Sequence, residues 1–428
     1  MVRKKEPQKE SEMKSLVMAA GLFVAVSSFA QWGDWGGGNN GGFGGPQNGS
    51  TVANAEKTAD VNYVGDGKTY HTLDIYIPKD TEGPYPVVIH TYGSAWSMNN
   101  YKGSADLGTI CSAYAKAGYA VVTPNHRSAS DAKYPAQLHD IKAVVRFVRG
   151  NAAKYKFDTN FVAVSGFSSG GHLSSLTATT CGLKEGKSGS VTVDLVGDLG
   201  EYTTFSSCVD GAVLWSPPTD IYTMNPISMG GSGTMEGAFI GVEREGNKDK
   251  WMVASSPYYA SDDDPPVIMF HGTSDNIVNI EQSQELYDSL KNHNVVTEFI
   301  KVSGGSHGGD KMNAKENLDK AVAFLDKARE AKAAVAVVTP PDTSAQDTAK
   351  TDTVPPGIVY DTLPDALPLL RSLGADPVTY DVFALDGTLV SRSSVLDKSS
   401  LRPGIYYVVT RTAAGRRDVS RFVKKQNT

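Results

Sequence analysis

One serine lies at a point where an apolar segment gives way to a helical pattern. Ser168 is the centre of the sequence G-F-S-S-G at 166–170, which follows the apolar run 161–165 and precedes Leu173 and Leu176. A serine hydroxyl is a weak nucleophile, so it must be exposed on a sharp turn where a general base can reach it. A G-x-S-x-G sequence between a strand and a helix is typical of such a turn, the nucleophile elbow. The pattern predicts that Ser168 is a catalytic nucleophile.

A candidate acid and a candidate base follow the serine in the chain order that this type of turn requires. Asp275 lies in the turn after the apolar run 266–270, and His307 lies in a glycine-rich loop after the predicted strand 295–302. The histidine would take the proton of Ser168, and the aspartate would fix the histidine tautomer and stabilise the imidazolium. We therefore predict a triad of Ser168, Asp275 and His307.

Other histidines and acids have structural interpretations that compete with a catalytic one. His172 starts the predicted elbow helix and is expected to pack there, and His271 ends a strand where it packs or hydrogen-bonds nearby. Asp220 follows an earlier strand and is the reserve candidate for the acid. Asp140 lies in a helical apolar pattern and is interpreted as structural, while the three aspartates at 262–264 are typical of a solvated loop.

A tetrahedral intermediate needs hydrogen-bond donors for its oxyanion. In this architecture one donor is the backbone N–H of the residue after the nucleophile, and the other comes from the loop after an earlier strand. Ser169 follows the nucleophile, and a loop containing Gly93 and Ser94 follows the apolar run 87–90. We expect the N–H groups of Ser169, Ser94 and Gly93 to form the oxyanion hole.

Four stretches of the chain together resemble the α/β-hydrolase superfamily, and more narrowly its hormone-sensitive-lipase-like branch with feruloyl and acetyl xylan esterases. They are Y-G-S-A-W at 92–96, Y-P-A-Q-L-H-D at 134–140, the elbow with its following G-G-H-L, and H-G-T-S-D at 271–275 with His307. The resemblance spans about residues 60–328. It implies an α/β fold with a mostly parallel central sheet flanked by helices, and ester hydrolysis through an acyl-enzyme.

The chain departs from that family at positions that bear on the substrate. The family usually has His-Gly-Gly-Ala-Trp in the first stretch, whereas here Tyr92 replaces the histidine and Ser94 the second glycine. Phe167 occupies an elbow position that is often acidic in the family. We therefore predict substrate contacts from Tyr92, Phe167 and Trp96, and Trp96 beside the oxyanion loop favours a small acyl group.

The alternation of apolar runs and helical patterns predicts a parallel sheet with helices on both faces. With 428 residues and 40% hydrophobic content, the chain can form one large α/β unit with appendages. The predicted strands are 73–77, 87–90, 119–123, 161–165, 211–215, 267–270 and 295–302. The predicted helices include 107–117, 136–154, 172–179, 281–292 and 314–334.

Both ends of the chain have the composition of separate segments. A basic start, the apolar run 16–26 and small residues before Gln31 are typical of a secretory signal peptide, with Met13 as an alternative start and cleavage expected after Ala30. The predicted organisation is a signal peptide at 1–30, a Gly/Asn-rich linker at 31–55, a catalytic domain at 56–334, a Pro/Thr/Asp-rich linker at 335–365 and a small β-rich sorting or attachment domain at 366–428.

The tail resembles the β-sandwich sorting domains of secreted Bacteroidetes-type proteins, through Y-D-V-F-A-L-D-G at 380–387 and P-G-I-Y-Y-V-V at 403–409. Residues 366–428 contain 10 Lys and Arg and 5 Asp and Glu, a net charge of +5, so the rest of the −6 chain carries −11. The resemblance implies contact with secretion machinery, and the basic tail on an acidic body is also suited to binding an anionic cell surface or polymer. The alternative is a solvated β-sheet face.

The cysteines and the absence of ligand motifs limit the other partners. Cys181 and Cys208 bracket an excursion and are candidates for a disulfide, whereas Cys111 lies in an apolar helical pattern and is expected to be buried and free. No spacing is typical of a zinc site, and no glycine-rich phosphate loop occurs. We therefore expect no metal, no organic cofactor and no nucleic-acid partner.

Three functional hypotheses follow. The first is a secreted serine carboxylesterase that removes acetyl or feruloyl groups from plant polysaccharide such as xylan, with 182–207 and 222–250 as a rim or lid. The second is a serine peptidase of the prolyl-oligopeptidase type, but the roughly 40 residues between the signal region and the first strand cannot hold the large recognition domain of those enzymes. The third is a non-catalytic polysaccharide-binding protein, which the filled triad positions disfavour.

Overall fold

The structure, a computed structural model, describes residues 51–231, 233–337, 377–384, 389–393, 404–412 and 417–424. These residues divide into two compact units, one up to Arg329 and one from Glu330. The predicted signal peptide, residues 31–50 of the first predicted linker and nearly all of the second linker lie outside the described residues.

The first unit is built on an eight-stranded sheet in the order β1-β2-β4-β3-β5-β8-β9-β10. The first two strands of that order run antiparallel to their neighbours, and the remaining pairs are parallel. A separate hairpin, β6–β7, is inserted after the elbow helix. The strands are β1 (Ala55–Asn62), β2 (Thr72–Pro78), β3 (Tyr85–Thr91), β4 (Ala120–Pro124), β5 (Phe157–Phe167), β6 (Glu185–Ser188), β7 (Val191–Asp194), β8 (Gly211–Trp215), β9 (Val267–Gly272) and β10 (Thr297–Val302).

Helices connect the parallel strands and cover the sheet. A π-helical turn, Leu107–Cys111, leads into the first of them, and three short 3₁₀ turns lie at Thr69–His71, Lys102–Ser104 and Ser256–Tyr259. The α-helices are α1 (Ser112–Lys116), α2 (Ala136–Gly150), α3 (Ala152–Tyr155), α4 (Ser169–Thr179), α5 (Met235–Ile240), α6 (Lys248–Met252), α7 (Glu281–Asn292) and α8 (Lys315–Val337).

The central strands are apolar on both faces because helices cover both sides of the sheet. Val87, Val88 and Ile89 are consecutive residues of β3, and the side chains of all three are fully buried. They alternate between two clusters: Val87 and Ile89 pack with α2 residues such as Val144, whereas Val88 packs on the opposite face with Tyr114. The sheet is thereby a rigid platform whose strand ends carry the functional loops.

All seven predicted strands are present, and the predicted α/β-hydrolase arrangement is confirmed. The edge strand β1, the hairpin β6–β7 and the short helices α5 and α6 were not predicted, because their sequences lack a clear apolar period. The predicted helix 136–154 is two helices that separate at Asn151. The predicted linker boundary at 55 is corrected, since Val52 is buried and the Ala53 N–H donates to Ser112 Oγ.

Two expectations about the cysteines have definite outcomes. Cys181 and Cys208 form a disulfide that closes the excursion containing β6 and β7. Cys111 is free and buried, as predicted. Among the described residues, no helix has both the length and the apolar character that crossing a membrane requires.

The second unit contains a four-stranded antiparallel sheet in the order β12-β11-β13-β14. Its strands are β11 (Pro377–Ala384), β12 (Leu389–Ser393), β13 (Gly404–Thr412) and β14 (Arg417–Lys424). The β-rich character of the tail agrees with the sequence pattern. The described strands form a single sheet, so the second layer of the expected sandwich is not among them, and the sorting role stays a prediction.

Candidate active site

Three side chains from separate loops form one continuous chain of hydrogen bonds. Ser168 Oγ lies 2.9 Å from His307 Nε2, and His307 Nδ1 lies 2.8 Å from Asp275 Oδ2. His307 is 6% exposed and Ser168 4% exposed, so both side chains are almost entirely buried. In this arrangement the serine hydroxyl donates to the ring, and the ring donates to the carboxylate. The geometry can transfer the serine proton to the histidine when the oxygen attacks an electrophile.

The environment of Asp275 keeps its carboxyl ionised. One carboxylate oxygen accepts the backbone N–H groups of Ile277 and Val278 at 2.9 and 3.0 Å. Burial opposes ionisation, but the charge of His307 and hydrogen bonds from His271 and His307 outweigh it and hold the pKa of Asp275 well below its usual range. An ionised acid at this position stabilises the imidazolium that forms when His307 takes the proton.

The backbone at the nucleophile is strained. Ser168 has φ 53° and ψ −123°, a conformation that residues with a side chain rarely adopt. Its N–H donates to Trp215 O at 2.9 Å, and its carbonyl accepts the His172 N–H at 3.0 Å, so β8 and the first turn of α4 hold the turn in place. Such strain costs about 1–3 kcal/mol and persists only where the surroundings over-determine it. It lifts the serine hydroxyl out of the sheet toward His307.

Two glycines allow the loop after β3 to approach the elbow closely. A Cβ on Gly93 would lie 2.8 Å from Ser168 Cβ, and a Cβ on Gly170 would lie 2.1 Å from Thr91 O. Real side-chain contacts are never that short, so both positions exclude larger residues. The backbone of Gly93 therefore lies directly against the nucleophile, where its N–H and that of Ser169 can serve an oxyanion.

The oxyanion loop, residues 92–97, has a strained backbone of its own. Ala95 and Trp96 both have positive φ, at 47° and 57°. Ser97 donates to Ser94 O through its N–H at 3.0 Å and through its Oγ at 2.5 Å, and the Ala129 N–H donates to Trp96 O at 2.7 Å. These bonds offset the strain and fix the loop beside the elbow.

One predicted oxyanion donor is directed elsewhere. The Ser94 N–H donates to Ser169 Oγ at 2.8 Å. Ser94 is buried at the site as expected, but its N–H is bonded to a side chain rather than available to an oxyanion. The prediction for Ser94 is corrected on this point, because a motif places a backbone group near the site without specifying its acceptor.

His172 joins the elbow helix to the oxyanion loop. Its ring is fully buried, its Nε2 lies 2.8 Å from Ala254 O, and its Nδ1 lies 3.2 Å from Trp96 Nε1. Burial lowers the pKa of His172 to about 4, against the opposing effect of the Ala254 bond. The neutral ring therefore donates to Ala254 and accepts from the Trp96 indole. It is a structural histidine, as its place at the helix start indicated.

A family model now accounts for this arrangement. The BD-FAE model matches residues 73–290, half of the 428-residue chain, a range that contains the oxyanion loop, the elbow and Asp275. The chain belongs to the BD-FAE family. This family membership places it among the hormone-sensitive-lipase-like α/β-hydrolases, in agreement with the sequence resemblance.

The BD-FAE domain is similar to solved structures and curated relatives that include named esterases. A truncated carbohydrate esterase from gut microbiota is 37% identical, with a TM-score of 0.62, over 65% of this chain and 98% of that one. A bifunctional GH43-CE protein of Bacteroides eggerthii is 41% identical with a TM-score of 0.61, over 64% of this chain and 35% of that one. The probable carboxylic ester hydrolase LipM of Mycobacterium tuberculosis is 27% identical over 54% of this chain and 51% of its own length. The chain thus spans about half the length of the curated relatives it matches.

Two predicted substrate contacts of the BD-FAE domain are wrong. Tyr92 is fully buried, stacks on His126 with ring centres 4.8 Å apart, and donates its hydroxyl to Met98 O. Trp96 is 1% exposed, and its ring stacks on Phe239 with centres 4.6 Å apart. Both side chains pack in the core behind the oxyanion loop. The left-handed backbone at Trp96 turns the indole inward, so it gives no information on acyl size.

Phe167, the third predicted contact, lies at the site of the BD-FAE domain. Its half-buried ring is 5.0 Å from the His307 ring, and its Cζ would lie 3.2 Å from a Cβ on Gly308. This side chain borders both the nucleophile turn and the histidine loop. Of the three aromatic predictions it alone keeps a position from which it can contact a substrate.

The competing acids of the BD-FAE domain have structural partners. Asp220 accepts from the Tyr222 N–H and from Ser255 Oγ, within its own turn and the segment before the Ser256–Tyr259 turn. Asp140 is fully buried and paired with Arg127, as expected of a structural residue. Among residues 51–231 and 233–337, no cluster of His, Cys, Asp or Glu is arranged to hold a metal ion.

Sequence reasoning missed two groups that shape this site, the Ser169 hydroxyl and the Trp96–His172 pair. The motif G-x-S-x-G places no requirement on the side chain after the nucleophile, so Ser169 was assigned only through its N–H. The Trp96–His172 hydrogen bond joins residues 76 positions apart. The sequence gave a local signal only for the histidine, through the stretch G-G-H at 170–172.

Proposed function

We propose that the protein is a secreted serine carboxylesterase that removes acetyl or feruloyl groups from plant cell-wall polysaccharide. The observation that carries the proposal is the hydrogen-bonded chain from Ser168 through His307 to Asp275 on a nucleophile elbow. The names of the similar carbohydrate esterase and of the GH43-CE protein support a carbohydrate ester as substrate. The signal-like sequence at 1–30 supports secretion.

Each group has a defined part in the reaction. Ser168 Oγ attacks the ester carbonyl carbon while His307 Nε2 takes its proton, and the N–H groups of Ser169 and Gly93 hold the oxyanion. His307 then gives the proton to the departing sugar oxygen, which leaves an acyl-Ser168. Water, deprotonated by His307, releases the acid and restores the serine. Asp275 holds the ring in the tautomer that this sequence needs.

The rim or lid expectation concerns the segment 222–250, which includes α5 and the start of α6. Phe239 of α5 stacks on Trp96 of the oxyanion loop, so this segment packs directly against the loop. We propose that it forms the rim over which the polysaccharide approaches. Segment 182–207 contributes the hairpin β6–β7, where Lys187 O accepts the hydroxyl of the exposed Tyr258.

The test is hydrolysis of p-nitrophenyl acetate, methyl ferulate and acetylated xylan by the full chain, beside Ser168→Ala and Ser174→Ala. Ser174 is a buried serine on the same helix and serves as the matched control. We expect Ser168→Ala to lose several orders of magnitude in kcat/KM while the control keeps its rate. The ratio of acetate to ferulate hydrolysis assigns the acyl group.

Two results would overturn the proposal. The first is equal activity in the wild-type chain and Ser168→Ala, which would place the chemistry elsewhere. The second is no hydrolysis of any ester together with cleavage of proline-linked amides or tight binding to insoluble polysaccharide. Amide cleavage would revive the peptidase hypothesis, and binding alone would support the non-catalytic one.

A further inference from the structure

The side chain of Ser169 occupies an unusual position beside the nucleophile. Ser169 is the first residue of α4 and is 1% exposed. Its Oγ accepts the N–H of Ser94 at 2.8 Å, so the hydroxyl lies between the elbow and the oxyanion loop. Ser94 belongs to the loop from which this architecture draws an oxyanion donor. The Ser94 N–H was expected to donate to the oxyanion, and it donates to the Ser169 hydroxyl instead.

The O–H group of Ser169 has no hydrogen-bond acceptor among the described residues. Two threonine hydroxyls of α4 donate to carbonyls one turn earlier, Thr177 to Leu173 O and Thr179 to Ser175 O. Ser169 has no preceding helical turn, because it starts the helix. Within the described part of the chain, its oxygen acts only as an acceptor. A buried hydroxyl generally uses its donor, and the acceptor that arises beside Ser169 during the reaction is the oxyanion.

We propose that the Ser169 hydroxyl is a donor of the oxyanion hole, additional to the backbone N–H groups and aligned by Ser94. This inference rests on the proposed ester hydrolysis. As Ser168 Oγ bonds to the carbonyl carbon, the carbonyl π electrons move to oxygen, and Ser169 Oγ–H donates a hydrogen bond to that oxygen without transferring its proton. When the tetrahedral intermediate collapses, the C=O bond reforms, the sugar oxygen leaves with the proton from His307, and the hydroxyl is unchanged.

The arrangement has a physical advantage over a bare backbone donor. A hydroxyl that accepts one hydrogen bond becomes a stronger donor of another, because neighbouring hydrogen bonds polarise each other. The Ser94 N–H also fixes the rotation of the Ser169 side chain, so the donor is oriented before the substrate arrives. Preorganised donors of this kind are worth about 10²- to 10³-fold in kcat when one is removed.

The test compares Ser169→Ala with the wild type, using kcat and KM for p-nitrophenyl acetate and the affinities of two inhibitors. A trifluoromethyl ketone adds Ser168 and forms a tetrahedral oxyanion, whereas the matching alcohol fills the acyl site without forming one. We expect kcat to fall by about 10²-fold, KM to stay within about twofold, and only the ketone to bind more weakly. Titration with a p-nitrophenyl phosphonate confirms one reactive serine per folded molecule.

A shape-matched pair keeps the proposal testable if Ser169→Ala does not fold. Ser169→Thr retains a hydroxyl and Ser169→Val replaces it with a methyl group of similar volume. The proposal requires the threonine variant to be faster than the valine variant by about tenfold or more. Ser174→Ala, which removes another buried hydroxyl of α4, should leave kcat unchanged.

Three outcomes would overturn the inference. They are an unchanged kcat in Ser169→Ala, equal rates in the threonine and valine variants, or equal weakening of both inhibitors. Any of these in a chain that still hydrolyses esters through Ser168 would refute the role of the hydroxyl while leaving the proposed function intact. An inactive wild-type chain would instead count against the proposed function itself.

Discussion

The triad side and the oxyanion side of Ser168 differ in how their hydrogen-bonding groups are held. On the triad side, His307 and Asp275 are presented by loops after β10 and β9, and their side chains meet each other directly. On the oxyanion side, the donors belong to the backbone or to the elbow helix. Their positions depend on two consecutive left-handed residues, Ala95 and Trp96, and on the side chains that hold them.

The triad side depends on which residues are present, whereas the oxyanion side depends on where the backbone donors are positioned. A triad member is defined by the functional group of its side chain. A substitution that removes this group abolishes its role even when the fold is intact. A backbone donor is present in every residue, so its role depends on where packing places it. The buried Trp96, His172 and Phe239 provide that packing on the oxyanion side.

The largest expected effect comes from breaking the triad side alone. Asp275→Asn removes the charge that stabilises the imidazolium and favours the wrong tautomer of His307, so kcat should fall by about 10⁴-fold with little change in folding. Steady-state hydrolysis of p-nitrophenyl acetate measures the loss. Asp220→Asn is the matched control and should retain nearly full activity. A comparable loss in both variants would contradict the assignment of the acid.

A smaller effect is expected from loosening the oxyanion side. His172→Phe keeps a ring in the same space but leaves the Trp96 N–H and Ala254 O without their partner. Each unpaired buried group costs about 1–3 kcal/mol. We expect the free energy of unfolding to fall by about 2 kcal/mol or more, and kcat to fall by about tenfold as the loop loses this tether.

His172→Gln is the conservative variant for this comparison, because its amide can both donate and accept. It should recover part of the lost stability and rate. Denaturant unfolding and steady-state kinetics measured on the same samples provide the test. Unchanged kcat in His172→Phe despite lower stability would show that the loop is held without the histidine.

The smallest effect concerns pH and the segment that backs the oxyanion loop. Glu236 of α5 is fully buried, and its Oε2 accepts the Ile227 N–H at 2.9 Å. Burial raises the pKa of Glu236 to about 7, helped by Glu243 and opposed by hydrogen bonds and Arg244. Since the folded state holds this proton more tightly, its contribution to stability is present below about pH 4.5 and is lost as pH rises through about 7.

Glu236→Gln should remove this dependence. Relative to the variant, the wild-type free energy of unfolding should fall between pH 5 and 8 by about 1–3 kcal/mol. Urea unfolding at the two pH values measures the difference. Parallel pH profiles of stability in the wild type and the variant would refute a raised pKa at this carboxyl. The hydrolysis rate at saturating p-nitrophenyl acetate should differ little between the two proteins.

The sequence determined the triad residues and the order of the central strands in the chain. A serine on a strand–turn–helix pattern, an acid after an apolar run and a histidine in a glycine-rich loop each carry a local signal. The architecture then follows, because a parallel sheet brings the carboxyl ends of β5, β9 and β10 to one edge. The disulfide between Cys181 and Cys208 was left open by the sequence, since spacing alone does not fix pairing.

Only the tertiary structure decided which groups of the oxyanion loop face the substrate. Ala95 and Trp96 have positive φ angles that the sequence does not signal, because neither residue is a glycine. This backbone turns the indole of Trp96 into the core rather than toward an acyl group. The Ser94 N–H found its acceptor in Ser169, 75 positions away along the chain. Side-chain identity is written in the sequence, but the direction of a backbone N–H is set by packing against distant residues, and that packing becomes visible only in the folded molecule.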